Sequence, residues 1–305
     1  MINRRELMKA GLALGAAVLA PHGSLGAQSQ GLIQKKIPSS GESVPVIGIG
    51  TARRYSAAPG TPQRAELKEV LRQFTAGGGK VVDTAPSYGS AESVVGDLVS
   101  ELSIRPSLFL ATKVRASDRD STVAQIDNSF RRLRTDRIDL IQVHNLVNTG
   151  PTLGILRELK QAGRIRYIGI TTSFEGQHTE FADEMEREQL DFVQVNYALD
   201  DRGAADRILP IAAERGVAVL VNLPLGRGRL FREVRSRPLP DWAAEFNCHS
   251  WAQFFLKYIV SHPAVTCAIP GTARTKYVAD NLGAARGRLP DAAMRKRMEA
   301  FIDKI

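Results

Sequence analysis

Four side chains of unlike chemistry stand at or just beyond the ends of short apolar runs. Asp83 ends Val81-Val82-Asp83, Lys113 ends Leu108-Phe109-Leu110-Ala111-Thr112-Lys113, and His144 ends Leu140-Ile141-Gln142-Val143-His144. Tyr88 follows Asp83 by five residues on a Pro-Ser-Tyr-Gly loop. Singly, each would be an ordinary solvated cap or loop tether. Together they offer a carboxylate, an ammonium, an imidazole and a phenol, a set suited to delivering a proton to an oxygen that gains charge during reaction. A free tyrosine titrates near pH ~10, too high for an efficient donor at neutrality. A neighbouring ammonium held by a carboxylate is expected to stabilise the phenolate and lower that value.

Such residues can act together only if successive strands aim them at one place. Short runs rich in Val, Ile and Leu alternate with longer stretches of helical period, the pattern of parallel strands buried on both faces. The expected strands are Val44 to Thr51, Lys80 to Thr84, Leu108 to Lys113, Ile138 to His144, Tyr167 to Thr171, Phe192 to Tyr197, Val217 to Asn222 and Val265 to Pro270. Eight strands with helices between them are what a closed (β/α)8 TIM barrel requires, and its chemistry gathers at the carboxyl ends of the strands. This α/β barrel is expected over residues 28–305; a doubly wound open sheet is the alternative. Ser39-Ser40-Gly41 is expected to turn a short hairpin under the barrel, and a last helix to run from about Asp291 to Ile302. Leu223 to Asn247 is the one long loop, of the kind that tends to be functional.

The run Gly79-Lys80-Val81-Val82-Asp83-Thr84-Ala85-Pro86-Ser87-Tyr88-Gly89-Ser90-Ala91-Glu92 closely resembles the signature of aldo-keto reductases, departing from it only at Ala91, where the signature has serine. The resemblance continues through Ala111 to Val114, Asp139 to Asn145, Gly169 to Ser173, Gln194 to Tyr197 and Ile269 to Thr272. It implies a NADPH-dependent carbonyl reductase, with NADH as the other possible cofactor. It also implies Tyr88 as general acid, Lys113 and Asp83 as the groups that tune it, and His144 as the residue that orients a small carbonyl or alcohol substrate.

The resemblance also implies a nucleotide site. Thr171 and Thr172 stand where the family usually has Ser-Asn, Gln194 matches the glutamine that meets the nicotinamide carboxamide, and Thr51 ends the first strand near the cofactor ribose. Asn222 stands where many members place an aromatic ring. Leu225 and Arg227 open the segment expected beneath the pyrophosphate. After the eighth strand, Gly271, Thr272, Arg274, Lys276 and Asn281 belong to a segment expected to begin a helix whose amino end faces phosphate. Tyr277 stands where some relatives have an arginine, so Arg274 or Lys276 would take its place at a 2′-phosphate.

Residues 1–27 have a different character: Arg4, Arg5 and Lys9 precede the 11-residue apolar run Ala10 to Ala20, followed by small residues. That order is the one expected of a signal peptide, and Asn3-Arg4-Arg5-Glu6-Leu7-Met8-Lys9 resembles the twin-arginine motif. Its run is short of the roughly 20 residues that span a bilayer, so no stable membrane span is expected. Twin-arginine export machinery is the expected partner and the periplasm the expected location, with the cytoplasm if the leader is not used.

The 305 residues, 43% hydrophobic and 24% charged, exclude a disordered or collagen-like chain. A net charge of +9 with no clustered basic run or aromatic platform argues against a nucleic-acid binder. Two cysteines and five scattered histidines carry no metal-ligand spacing. Gly48-Ile49-Gly50 lacks the third glycine of a dinucleotide fingerprint, so it is weak evidence for that fold. The competing function is an exported nucleotide-binding sensor without turnover.

Overall fold

Alternation within each apolar run divides its side chains between the two sides of a sheet, and both sides are buried here. The computed structural model describes residues 31–305, and the leader expected over residues 1–27 lies outside them. Strands β1 (Gln34–Lys36) and β2 (Ser43–Pro45) form the expected antiparallel hairpin, with Gly41 at φ 75° in its turn. The barrel strands are β3 (Ile49–Gly50), β4 (Val81–Asp83), β5 (Phe109–Val114), β6 (Ile138–His144), β7 (Ile165–Thr171), β8 (Phe192–Asn196), β9 (Ala218–Asn222) and β10 (Cys267–Ala268). They lie parallel in chain order. A parallel bridge between Ile47 and Ala268, with Gly50 N donating to Pro270 O at 3.1 Å, joins the last strand to the first. The architecture is the expected (β/α)8 barrel.

The first expected strand, Val44 to Thr51, is two elements. Ser43–Pro45 serves the hairpin and Ile49–Gly50 the barrel, because the chain must pass between neighbours too close for side chains at Gly48 and Gly50. A Cβ at Gly48 would lie 2.8 Å from Val81 O, and one at Gly50 would lie 2.8 Å from Ile269 O. These glycines therefore close the barrel. The last strand is also shorter than Val265 to Pro270.

Inside the barrel, Val81, Phe109, Ala111, Leu140, Tyr167, Phe192, Ala218, Leu220, Cys267 and Ile269 pack as one apolar cluster with Ile37 and Val44 from the hairpin. The hairpin thus seals the bottom. Tyr167 Oη makes hydrogen bonds to Ser40 Oγ and to Glu42 Oε2, both at 2.7 Å, and Lys35 Nζ donates to His262 O at 2.7 Å and Val265 O at 2.6 Å. The opposite parity of each strand, including Val82, Ile141, Ile168, Val193 and Val219, meets the helices in a second cluster.

The helices are α1 (Pro62–Ala76), α2 (Ala91–Leu102), α3 (Arg119–Leu133), α4 (Thr149–Gln161), α5 (His178–Arg187), α6 (Ile208–Arg215), α7 (Arg229–Glu233), α8 (Trp251–Val260), α9 (Val278–Gly283) and α10 (Ala292–Ile302). Side-chain caps start several: Thr61, Asp118, Ser250 and Asp291 each accept from the backbone N–H three residues on. Glu92, in the first turn of α2, accepts from Thr112 Oγ1 at 2.7 Å and ties that helix to β5. The Leu223 to Asn247 loop is largely helical turns, with α7 and two 3-10 segments, Gly226–Gly228 and Asp241–Phe246. Trp242, Trp251, Phe254 and Phe301 pack on one another there. Cys248 and Cys267 are buried and unpaired. Among the described residues, no helix is long and apolar enough to cross a membrane and no side-chain group could hold a metal ion.

Candidate active site

Counting by twos along the strands places a polar layer directly above the apolar one. Val81 points into the barrel and so does Asp83; Ala111 and then Lys113 do the same on β5; Leu140, Gln142 and His144 follow on β6; Phe192 and Gln194 on β8. Asp83, Tyr88, Lys113 and His144 are brought together at this end.

Lys113 Nζ donates to Asp83 Oδ1 at 2.8 Å, to Asp83 Oδ2 at 2.7 Å and to Thr84 O at 2.9 Å. Those bonds occupy all three N–H groups of a pair whose side chains are 1% and 3% exposed. The ammonium also lies 5.2 Å from the centroid of the Tyr88 ring. Tyr88 meets His144 edge to face, with ring centroids 6.2 Å apart.

Burial acts first on every one of these groups. It works against the Lys113 ammonium, but the facing Asp83 carboxylate and Tyr88 outweigh it, and the Lys113 pKa stands above its ordinary value. Burial raises Asp83 as well, opposed by Lys113 and the Gln194 amide. It raises the Tyr88 phenol above its ordinary value, against the pull of Lys113. The expectation that Lys113 and Asp83 would lower the Tyr88 pKa is therefore reversed: desolvation outweighs the ammonium, and the Asp83 charge adds to the rise. The phenol remains protonated until an adjacent oxygen becomes negative. Burial, Lys113 and Arg115 push the His144 imidazole down to about 3, which makes it a neutral group at physiological pH.

The loop after His144 is held in an unusual backbone conformation. Asn145 and Leu146 have φ of 56° and 57°, and Asn148 has φ of 54°. A branched apolar residue in that region is strained, and such strain concentrates at functional sites. Asn145 N donates to Thr171 O at 2.7 Å, fixing this turn against the end of β7.

The expected nucleotide residues divide into two groups. Thr51, Thr171 and Gln194 are buried at the strand ends beside the four central groups. Gln194 Oε1 accepts from Gln142 Nε2 at 2.8 Å. Thr272 and Asn281 join the loop after β10 to its helix, with Asn281 Nδ2 donating to Thr272 Oγ1 at 2.8 Å, while Tyr55 Oη holds Thr272 O from the loop after β3. The Thr172 hydroxyl donates to Gln177 Oε1 and accepts from Phe174 N within its own loop. Leu225 packs against the core, and Gly226, Arg227 and Gly228 follow it in left-handed conformations at φ 52°, 53° and 87°.

Arg227, Gly271, Arg274 and Lys276 are exposed. The helix expected to begin near Gly271 is instead a 3-10 turn at Thr275–Tyr277 followed by the six-residue α9, so Arg274 and Lys276 offer charge without a long helix behind them. Lys276 Nζ rests 5.0 Å from the Tyr277 ring centroid.

Five buried side-chain oxygens near the strand ends have no partner in the protein: Thr51 Oγ1, Thr84 Oγ1, Gln142 Oε1, Asn145 Oδ1 and Asn222 Oδ1. Buried polar atoms of this kind are costly unless a ligand or water satisfies them, so the mouth is built for a polar occupant. Asn222 Nδ2 donates to Thr172 O at 3.0 Å, which fixes its side chain. Sequence reasoning passed over Gln142 and Thr84. A glutamine two places before His144 on one strand face was the available signal.

Residues 46–302 match the model of the aldo/keto reductase family. Aldo-keto reductase YhdN of Bacillus subtilis is 32% identical over 210 residues, 64% of this chain and 62% of that protein, so this match spans less than two thirds of the relative. Methylglyoxal reductase YeaE of Escherichia coli is 30% identical over 285 residues, covering 89% of this chain and 94% of that protein. Among solved structures, an aldo/keto reductase from Klebsiella pneumoniae in complex with NADP and acetate superposes with a TM-score of 0.75 at 26% identity, covering 89% of this chain and 96% of the other. A second Klebsiella pneumoniae aldo-keto reductase, in complex with NADPH, gives 0.74 at the same identity, with 89% and 95% covered. The barrel, the polar layer at its mouth and the match along most of the chain agree: the protein belongs to the aldo/keto reductase family.

Proposed function

We propose that the protein is a NADPH-dependent oxidoreductase that reduces an aldehyde or ketone to an alcohol at the barrel mouth. The observation that carries this reading is the convergence of Tyr88, His144 and the Lys113–Asp83 pair on one point, ringed by polar atoms that lack protein partners. The relatives' names and the nucleotides bound in their structural counterparts support it.

Thr51, Thr171, Gln194 and Asn222 line the inner part of the nucleotide's place, and Arg227, Arg274 and Lys276 supply positive charge for its phosphates. When bound, reduced nicotinamide supplies the hydride; the protein supplies placement and electrostatics. Tyr88 donates its phenolic proton to the carbonyl oxygen as that oxygen gains charge. Lys113 stabilises the phenolate left behind, and Asp83 keeps that ammonium charged and fixed. His144, neutral, orients the carbonyl through a hydrogen bond and does not compete as a charged acid. A sensor without turnover has no use for this proton-delivery set.

The reading is tested by following NADPH oxidation with a panel of aldehydes. Turnover that disappears in Tyr88→Phe, with nucleotide affinity kept, supports it; no turnover of any carbonyl, or full turnover by the variant, overturns it. Residues 1–27 also support a proposal, on sequence grounds, of twin-arginine export to the periplasm.

A further inference from the structure

Gln142 and Gln194 are both fully buried, and they join strands that are not neighbours, because β7 runs between β6 and β8. The register pairs Gln142 with Gly169 and Gly169 with Phe192, two places before Gln194. Tyr167 packs inside the barrel, so Gly169, two residues on, faces the same way and sets no side chain between the two amides. Across that gap Gln142 Nε2 donates to Gln194 Oε1 at 2.8 Å.

Asp83 dictates the sense of that bond. A carboxylate accepts and does not donate, and the Gln194 side chain is one of its hydrogen-bond partners, so the nitrogen end of Gln194 is turned toward Asp83. The oxygen end then faces Gln142, which must present nitrogen. Gln142 Oε1 is left buried with no partner in the protein. An amide so placed adds little to stability: methionine at 142 would remove this unpaired acceptor and create another at Gln194 Oε1, for a balance near zero. What the amide supplies is a fixed Gln194, since without that donor the Gln194 side chain can turn about its broad last torsion.

We propose that Gln142 is a positioning residue for the nucleotide: it locks the Gln194 amide so that one N–H serves Asp83 and the second is left for the amide oxygen of the nicotinamide. This rests on the carbonyl-reductase reading, in which Gln194 lines the nucleotide's place, and names the group that aims it. Gln142 acts only through Gln194 and touches neither nucleotide nor substrate.

The test compares the dissociation constants of NADPH and thio-NADPH, whose nicotinamide carries sulfur, a poor acceptor, in place of that oxygen, by calorimetry on the full chain. A neutral hydrogen bond is worth about two- to tenfold in affinity, so the parent should prefer NADPH by about that factor. Gln142→Met should bring the two nucleotides to within about twofold while leaving the melting temperature of the free protein nearly unchanged. Gln142→Asn keeps an amide but falls one methylene short of Gln194, so it should behave like Gln142→Met. Gln194→Met tests the same bond from its other end and should also remove the preference. A loss of packing alone would weaken both nucleotides alike and leave their ratio intact. No preference in the parent, or a preference that survives Gln142→Met or Gln194→Met, overturns the inference. Failure of the underlying reading is seen separately, as a chain that binds neither nucleotide or as turnover indifferent to Tyr88→Phe.

Discussion

The ring of His144 meets the ring of Tyr88 edge to face at 6.2 Å between centroids, and the two are perturbed in ways that complement each other. Burial raises the phenol and lowers the imidazole, so both are uncharged across the physiological range.

That state fixes a pH dependence. With His144 at about 3, no imidazole titration should appear in log kcat/KM between about pH 5 and 9 for a neutral aldehyde. Reduction requires the protonated phenol, whose pKa lies above its ordinary value, so the rate should fall only above about pH 10. Alcohol oxidation requires the deprotonated phenol and should rise with pH over the same range. An inflection near pH 6.5 that vanishes in His144→Asn would contradict this.

Tyr88→Phe removes one oxygen and keeps the ring against His144. Carbonyl reduction should drop about 10²- to 10⁴-fold, with NADPH affinity within about twofold of the parent. Steady-state rates and nucleotide titration by fluorescence check the two halves independently.

The buried Lys113–Asp83 pair should cost more to break than to replace. Asp83→Leu alone leaves an ammonium without its counterion and should destabilise the fold by about 3–5 kcal/mol, whereas Asp83→Leu with Lys113→Met should recover most of that loss while remaining inactive. Chemical denaturation of both single variants and the double variant provides the comparison. A double variant no more stable than Asp83→Leu would show that the pair is not the source of the penalty.

Arg274 is exposed, and no carboxylate among the described residues pairs with it. Arg274→Ala should weaken NADPH about ten- to a hundredfold while leaving NADH within about twofold, because only the former has a 2′-phosphate. Equal losses for both nucleotides, or none, would remove Arg274 from that site.

Replacing Arg4 and Arg5 together by lysine should leave the precursor folded, uncleaved and in the cytoplasm, as cell fractionation would show. Normal arrival in the periplasm would mean that another route reads the leader.

The polar layer was legible in part because a strand repeats every two residues: Leu140 and His144 share a face in the sequence as they do in the barrel, and Gln142 between them belongs to that face although it was passed over. The sign of the Tyr88 shift was not, since it depends on how much water the closed mouth excludes. Nor were the ends of β3 and β10, two-residue strands beside the seam where Ile47 meets Ala268 from the far end of the chain. The turn after β10 read as a longer helix because its residue types permit one; its 3-10 start follows from Thr272 and Asn281 being tied together.

The seam between Ile47 and Ala268 also sets an order of events during synthesis. Lys35 is among the early residues to leave the ribosome, yet its carbonyl partners, His262 and Val265, follow 227 and 230 residues later. Until then β3 presents an unpaired edge, and the growing sheet presents another wherever it currently stops. The entropy of closing so long a loop grows only slowly with its length, so the exposure is a matter of waiting time more than of equilibrium. A chain terminated just before Cys267 would keep both adhesive edges permanently, and aggregation of that fragment, more than loss of any side chain at the mouth, would be its failure.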